Sequence, residues 1–313
     1  MNKFIVFCLI FPCAVINAQS KYEILLKGGG GLSTLNYATT AKNCTQENGL
    51  GWQAGIGYSY FFFSEWGIGT GIELAQCNSR FRMGDFVNRY MTTDKQRNDF
   101  EFRSNVEKYL EKQSLLQVQI PLMMQYQTGA QQRLYAAAGV KVGIPVKGSY
   151  TNTGGNIINS GYYDDEKYEY TTQKFMGFGK FDAKKADGEL ELNMSYFVSA
   201  EFGVKFNTGA LSWKFGGRGA IYVGVFIDYG LNSIAPKIQY SSKFIEYIPD
   251  MYDFTMNSVF YSQDGDEQPF ISNNKIHPLS VGIKLKLSYG KGSSLHKDSY
   301  PFFRHLRDFK MSQ

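Results

Sequence analysis

Three histidines, His277, His296 and His305, are the side chains best suited to act as a general base near neutral pH. Hydrolysis or acyl transfer needs such a base held against a nucleophile, and no serine or cysteine stands where its spacing suggests that pairing. His277 with Asp264, Asp266 and Glu267 is the nearest approach to an acid–base group. Asp264-Gly265-Asp266-Glu267 and Asp164-Asp165-Glu166 offer oxygen ligands for weak calcium binding, but each reads first as a solvated loop. No His/Cys spacing matches zinc. Gly28 to Gly31 lacks the following Lys-Ser/Thr and helix of a phosphate loop. The chain is therefore expected to be no enzyme, with no catalytic residue, cofactor or metal.

The other notable ionisable residues alternate with apolar ones, and that alternation defines the elements that carry them. From Leu279 to Tyr289, apolar Leu279, Val281, Ile283, Leu285 and Leu287 interleave with Ser280, Gly282, Lys284, Lys286 and Ser288, the period of a strand. Residues 190–206 place Leu190, Leu192, Met194, Tyr196, Val198 and Phe202 on one face, with Glu191, Glu201 and Lys205 on the other. The same reading covers 22–35, 51–62, 66–77, 116–128, 134–150 and 211–231, giving eight strands. Their polar faces carry Glu23, Lys27, Glu73, Lys141, Glu191, Glu201, Lys205, Asp228, Lys284 and Lys286. Buried without partners, such charges are costly, so they are expected to pair with one another inside a barrel.

Connection lengths alternate. Short turns at 63–65, about 128–132 and 207–210 separate long loops at 36–50, 78–114, 151–189 and 232–276. A transmembrane barrel has this asymmetry, with short periplasmic turns and long outer loops. The expected fold is all-β: an eight-stranded antiparallel up-and-down transmembrane β-barrel over 19–290, with four long outer loops and both termini periplasmic. Lys3 and the apolar run Phe4 to Ile16 read as a signal peptide over 1–18, cleaved at Ala18. That run is shorter than the roughly 20 residues of a spanning helix. Residues 291–313 form a basic tail on the periplasmic side.

Composition agrees with this reading. Aromatics make up 16% of the 313 residues, and 33 glycines suit strands and tight turns. The net charge of +5 gives no support to a nucleic-acid partner. Tyr22, Phe62, Trp66, Tyr126, Phe206, Trp213 and Tyr289 gather at the turn end, where an interfacial girdle belongs. Cys44 and Cys77 are a candidate disulfide in an exported chain, or equally two separate thiols. The long loops are rich in Tyr and Phe, which suit surface contacts but are expected first to fold the loops on themselves or extend the barrel as hairpins, so the expected role is structural or one of surface recognition.

Leu116-Gln-Val-Gln-Ile-Pro-Leu-Met-Met-Gln-Tyr126, followed by Leu134-Tyr-Ala-Ala-Ala-Gly-Val140, resembles the strand pair of the PorT-type outer-membrane β-barrel family. Trp66-Gly-Ile-Gly-Thr-Gly-Ile-Glu-Leu74 is similar to its third strand. The resemblance covers about residues 20–290 and carries no catalytic residues. It implies a bacterial outer-membrane location, outer-membrane lipid and an envelope protein or surface ligand as partners, and for some relatives a part in protein secretion. Ser280, Gly282, Leu285 and Leu287 resemble the signal read by the barrel-assembly machinery, although here the chain continues past it.

Overall fold

The computed structural model describes residues 21–40, 43–63, 65–128, 133–153, 155–182, 186–208, 218–235, 242–263, 268–271 and 275–291. The expected signal peptide with Ala18, the girdle residue Trp213, the 264–267 acidic run, His296, His305 and the tail past Lys291 lie outside those residues.

Eight long strands, numbered along the chain, form the staves of a closed antiparallel ring. They are β1 (Lys21–Asn36), β2 (Cys44–Phe61), β3 (Trp66–Met83), β6 (Tyr109–Gln127), β7 (Arg133–Thr153), β12 (Ser195–Thr208), β13 (Arg218–Gly230) and β18 (His277–Lys291). Each pairs with the next, the β6–β7 ladder closes one side, and β1 pairs with β18 to close the other. With period-two geometry, one face of every stave points outward. Ile24, Ile56, Ile72, Leu122, Val140, Phe202, Val225 and Ile283 are exposed there. A continuous apolar surface of this kind is stable against lipid rather than water.

At the end bearing the long loops, short strands build a cap. β4 (Phe86–Thr93) and β5 (Asp99–Val106) form a hairpin that joins β8 (Ile157–Tyr163), β9 (Tyr168–Tyr170) and β10 (Gly179–Phe181) in one small sheet. β11 (Ala186–Glu189) extends the ring beside β7. β14 (Ser242–Lys243), β15 (Ile245–Ile248), β16 (Asp253–Met256) and β17 (Ser262–Gln263) come from the last loop. Phe100, Phe102, Ile157, Phe178, Phe244 and Phe270 bury together with Phe81 and Tyr109 of the staves.

Four boundaries differ from the alternation pattern. β2 begins at Cys44, so the first outer connection spans only 37–43 instead of 36–50. β3 runs on to Met83 and β6 starts at Tyr109, because their upper ends turn apolar side chains inward to the cap core, the reverse of the membrane pattern. β13 is described from Arg218 on, and residues 211–217 of its expected span lie outside the described residues. β12 begins at Ser195. Leu190 and Leu192 bury in the cap core while Glu191 is exposed, so Glu191 is not an interior charge of the barrel. The phase does not carry across Asn193 and Met194, which lie outside any strand and are both exposed.

Candidate functional site

The interior splits into two zones. In the lower one, Glu73 on β3 accepts from Lys27 Nζ on β1 (2.9 Å), Lys284 Nζ on β18 (3.1 Å) and Lys141 Nζ on β7 (3.5 Å). Lys141 also reaches Asp228 on β13 at 2.9 Å, and Ser199 Oγ donates to the same carboxylate at 2.6 Å. Lys284 continues to Glu201 on β12 at 2.8 Å, where Lys286 joins. Nearer the turns, Lys205 pairs with Glu23, and Tyr222 Oη donates to that carboxylate. Thus Lys27, Glu73, Lys141, Glu201, Asp228, Lys284 and Lys286 form one ion-paired interior set, with Glu23 and Lys205 a second interior pair nearer the turns. Glu191 alone of the residues expected there stands apart.

Small residues make room for these long side chains. A Cβ on Gly57 would lie 2.5 Å from Lys27 Cε and 2.8 Å from its Nζ. A cavity of about 20 Å³ remains, bounded by Gln53, Gln119, Phe226 and Asp228 below and Cys77 above. It has room for about one water. Gln53, Gln117, Gln119, Gln125 and Tyr135 are buried inside beside these charges, and an eight-stranded barrel is narrow enough for side chains to fill it.

In the upper zone, Glu111 on β6 is fully buried. Tyr109 Oη (2.7 Å), Gln113 Nε2 (2.8 Å), Ser258 Oγ (2.8 Å) and the Val259 N–H (3.0 Å) all donate to it. No cation pairs with it among the described residues. Burial pushes its pKa up, against the opposing pull of those four donors. The carboxylate ties the last loop to a stave. Sequence reading missed Glu111, although continuing the inward parity of Gln117 and Gln119 back along β6 leads to it.

Tyr22, Phe62, Trp66, Phe206 and Tyr289 are exposed at the turn end, with Tyr126 half-buried beside Trp66 at a ring-centroid distance of 4.9 Å. Trp52, Tyr196 and Tyr229, exposed near the loop end, were not singled out by the sequence and make a second aromatic level. Cys44 lies opposite Met83 and Cys77 opposite Leu115, on different rungs, and no bond joins the two thiols. His277 Nδ1 lies 3.1 Å from the Gly230 carbonyl, a backbone contact at the top of β18. Among the described residues no group of three His, Cys, Asp or Glu side chains is placed to hold a metal.

Several solved structures are similar to the chain, among them the following two. Neisserial surface protein A shares 6% identity at a TM-score of 0.30, over 86% of this chain and 98% of that one. The outer membrane protein OprG from Pseudomonas aeruginosa shares 10% identity at a TM-score of 0.29, over 86% of this chain and 94% of that one. No curated protein matches in sequence. A family model for the outer membrane protein beta-barrel domain matches residues 17–235, more than half the chain, and the chain belongs to that family.

Proposed function

We propose that this chain is a non-enzymatic surface-recognition protein of the bacterial outer membrane. The apolar belt seats the staves in outer-membrane lipid, and the short turns and both termini face the periplasm. The cap of outer loops is displayed to the outside. β18, with Ser280, Gly282, Leu285 and Leu287, engages the barrel-assembly machinery during insertion. The observation that carries the reading is the cap itself. Its loops bury one shared apolar core across the mouth of a barrel whose inward charges are buried and paired with one another, which suits binding at the surface better than passage through it.

The cap ends in exposed apolar tips. Phe175 is 77% exposed and Met251 is 74% exposed, on adjacent turns joined where Tyr247 Oη donates to the Met176 carbonyl at 3.1 Å. Gln96 Nε2 donates to Tyr252 Oη at 2.7 Å and brings in the tip of the second loop. The test is photo-crosslinking in intact cells from positions 175 and 251. Capture of a defined surface partner is expected. Capture of lipid alone, together with a secretion defect on deletion, would instead favour the secretion role implied by the resemblance to PorT-type barrels.

A further inference from the structure

We propose that β4 is an acceptor edge for an extended polypeptide segment carrying an acidic residue between two apolar ones at alternate positions. This rests on the recognition reading above and names the partner chemistry. β4 pairs with β5 along its whole length, from Phe86 opposite Val106 to Thr93 opposite Asp99. Its other edge has no backbone partner among the described residues. Free strand edges accept an added strand through main-chain hydrogen bonds, and side-chain positions then set specificity.

The strand is held ready for such pairing. On its inner face, Phe86 packs against Phe244 and Phe270 at ring distances of 5.6 and 5.2 Å. Asn88 Nδ2 donates to the Ile245 carbonyl at 3.3 Å, and Tyr90 Oη accepts from the Tyr247 N–H at 2.8 Å. A strand fixed in this way loses little further entropy on binding. On its outer face, Val87 (52% exposed), Arg89 and Met91 (65% exposed) alternate.

Arg89 sets the charge of the partner. It sits directly opposite Arg103 on β5. Arg103 is already satisfied by Glu101, by Glu169 at 3.3 Å and by the Tyr162 ring at 4.8 Å. Arg89 meets no carboxylate among the described residues. Like charges directly opposite one another are unfavourable, and an opposite charge across the free edge is favourable. The arriving strand should therefore place a carboxylate against Arg89 and apolar side chains against Val87 and Met91. A second copy of this chain fits badly. The antiparallel register that matches Val87 with Met91 sets two arginines face to face.

The experiment uses the full-length protein in detergent micelles and fluorescent peptides of alternating Thr and apolar residues, read by anisotropy. The central outward residue is Glu in one peptide and Lys in another, and a third carries Pro in the strand. Heat-shifted electrophoresis confirms a folded barrel in each variant. The wild type should prefer the Glu peptide by roughly five- to tenfold, the scale of exchanging an attractive for a repulsive cross-strand pair. Arg89→Glu should invert the preference, and the Pro peptide should fail to bind. Equal or absent binding of the Glu and Lys peptides overturns the acceptor edge, as does self-association through β4 seen by ultracentrifugation. If the peptides fail while positions 175 and 251 still capture a partner, the edge proposal falls and the recognition reading stands. If the peptides bind with the expected preference while the tips capture nothing, the acceptor edge stands and the tips lose their part.

Discussion

Glu73 and Glu111 are both buried carboxylates on neighbouring staves, yet they are held in opposite ways. Glu73, among the staves, is met by three lysines. Glu111, in the cap, is met by two hydroxyls, an amide side chain and a backbone N–H. The same inversion runs along single strands. β3 turns Glu73 inward and Leu74 outward low in the barrel, then Phe81 inward and Arg82 outward near its top. What the strand puts inside depends on what lies outside. Against lipid the polar face turns in, and against water the apolar face does.

The largest break in this comparison comes from Glu73→Gln. It removes the carboxylate while leaving Lys27, Lys141 and Lys284 buried around a neutral amide. Removing one partner of a buried ion pair costs about 3–5 kcal/mol, because the remaining charge is uncompensated. Urea unfolding in lipid vesicles should show a loss of that size. Little change would mean that the lysines find water or other acceptors, and that the network is not what holds the staves.

Glu111 should respond to pH where Glu73 needs its charge partners. Burial raises the Glu111 pKa above its ordinary value of 4.5. A carboxyl raised on folding contributes stability that is complete below the unfolded value and is lost as pH rises through the folded one. Hydrogen exchange over 258–260 should therefore be slowest in mild acid, after correction for the intrinsic rate. It should speed up, so corrected, toward neutral pH. Glu111→Gln should flatten that dependence. A dependence of the opposite sign would mean that the four donors outweigh burial.

The sequence made the lower staves legible because lipid imposes one rule on them, with every second residue apolar and outward. Nine of the ten expected interior charges follow from that rule, and Glu191 fails where strand geometry stops before Ser195. The upper ends obey the reverse rule, so Phe81, Met83 and Tyr109 fell within a stretch read as loop. The cap core was hidden for a different reason. Phe86, Phe100, Phe178, Phe244 and Phe270 come from three loops far apart in the chain, and no local period marks residues that meet only in three dimensions. Arg89 was equally silent, since its meaning depends on the register with Arg103.

The smallest expected effect sharpens the boundary between barrel and solvent. Trp66 is 41% exposed and packs against Tyr126 on one side, with its other face turned outward. Phe100 in the cap, by contrast, meets Tyr163, Phe178 and Tyr247 at 5.0, 5.6 and 5.2 Å and is wholly enclosed. Trp66→Ala removes a single aromatic pair, worth about 0.5–1.5 kcal/mol beyond its area. An aromatic ring at a lipid–water boundary has a further preference for that boundary, which a micelle, with its loose and curved surface, reproduces poorly. The loss should therefore be larger in vesicles than in detergent. Equal losses in both would assign Trp66 to packing on Tyr126 alone and remove it from the girdle.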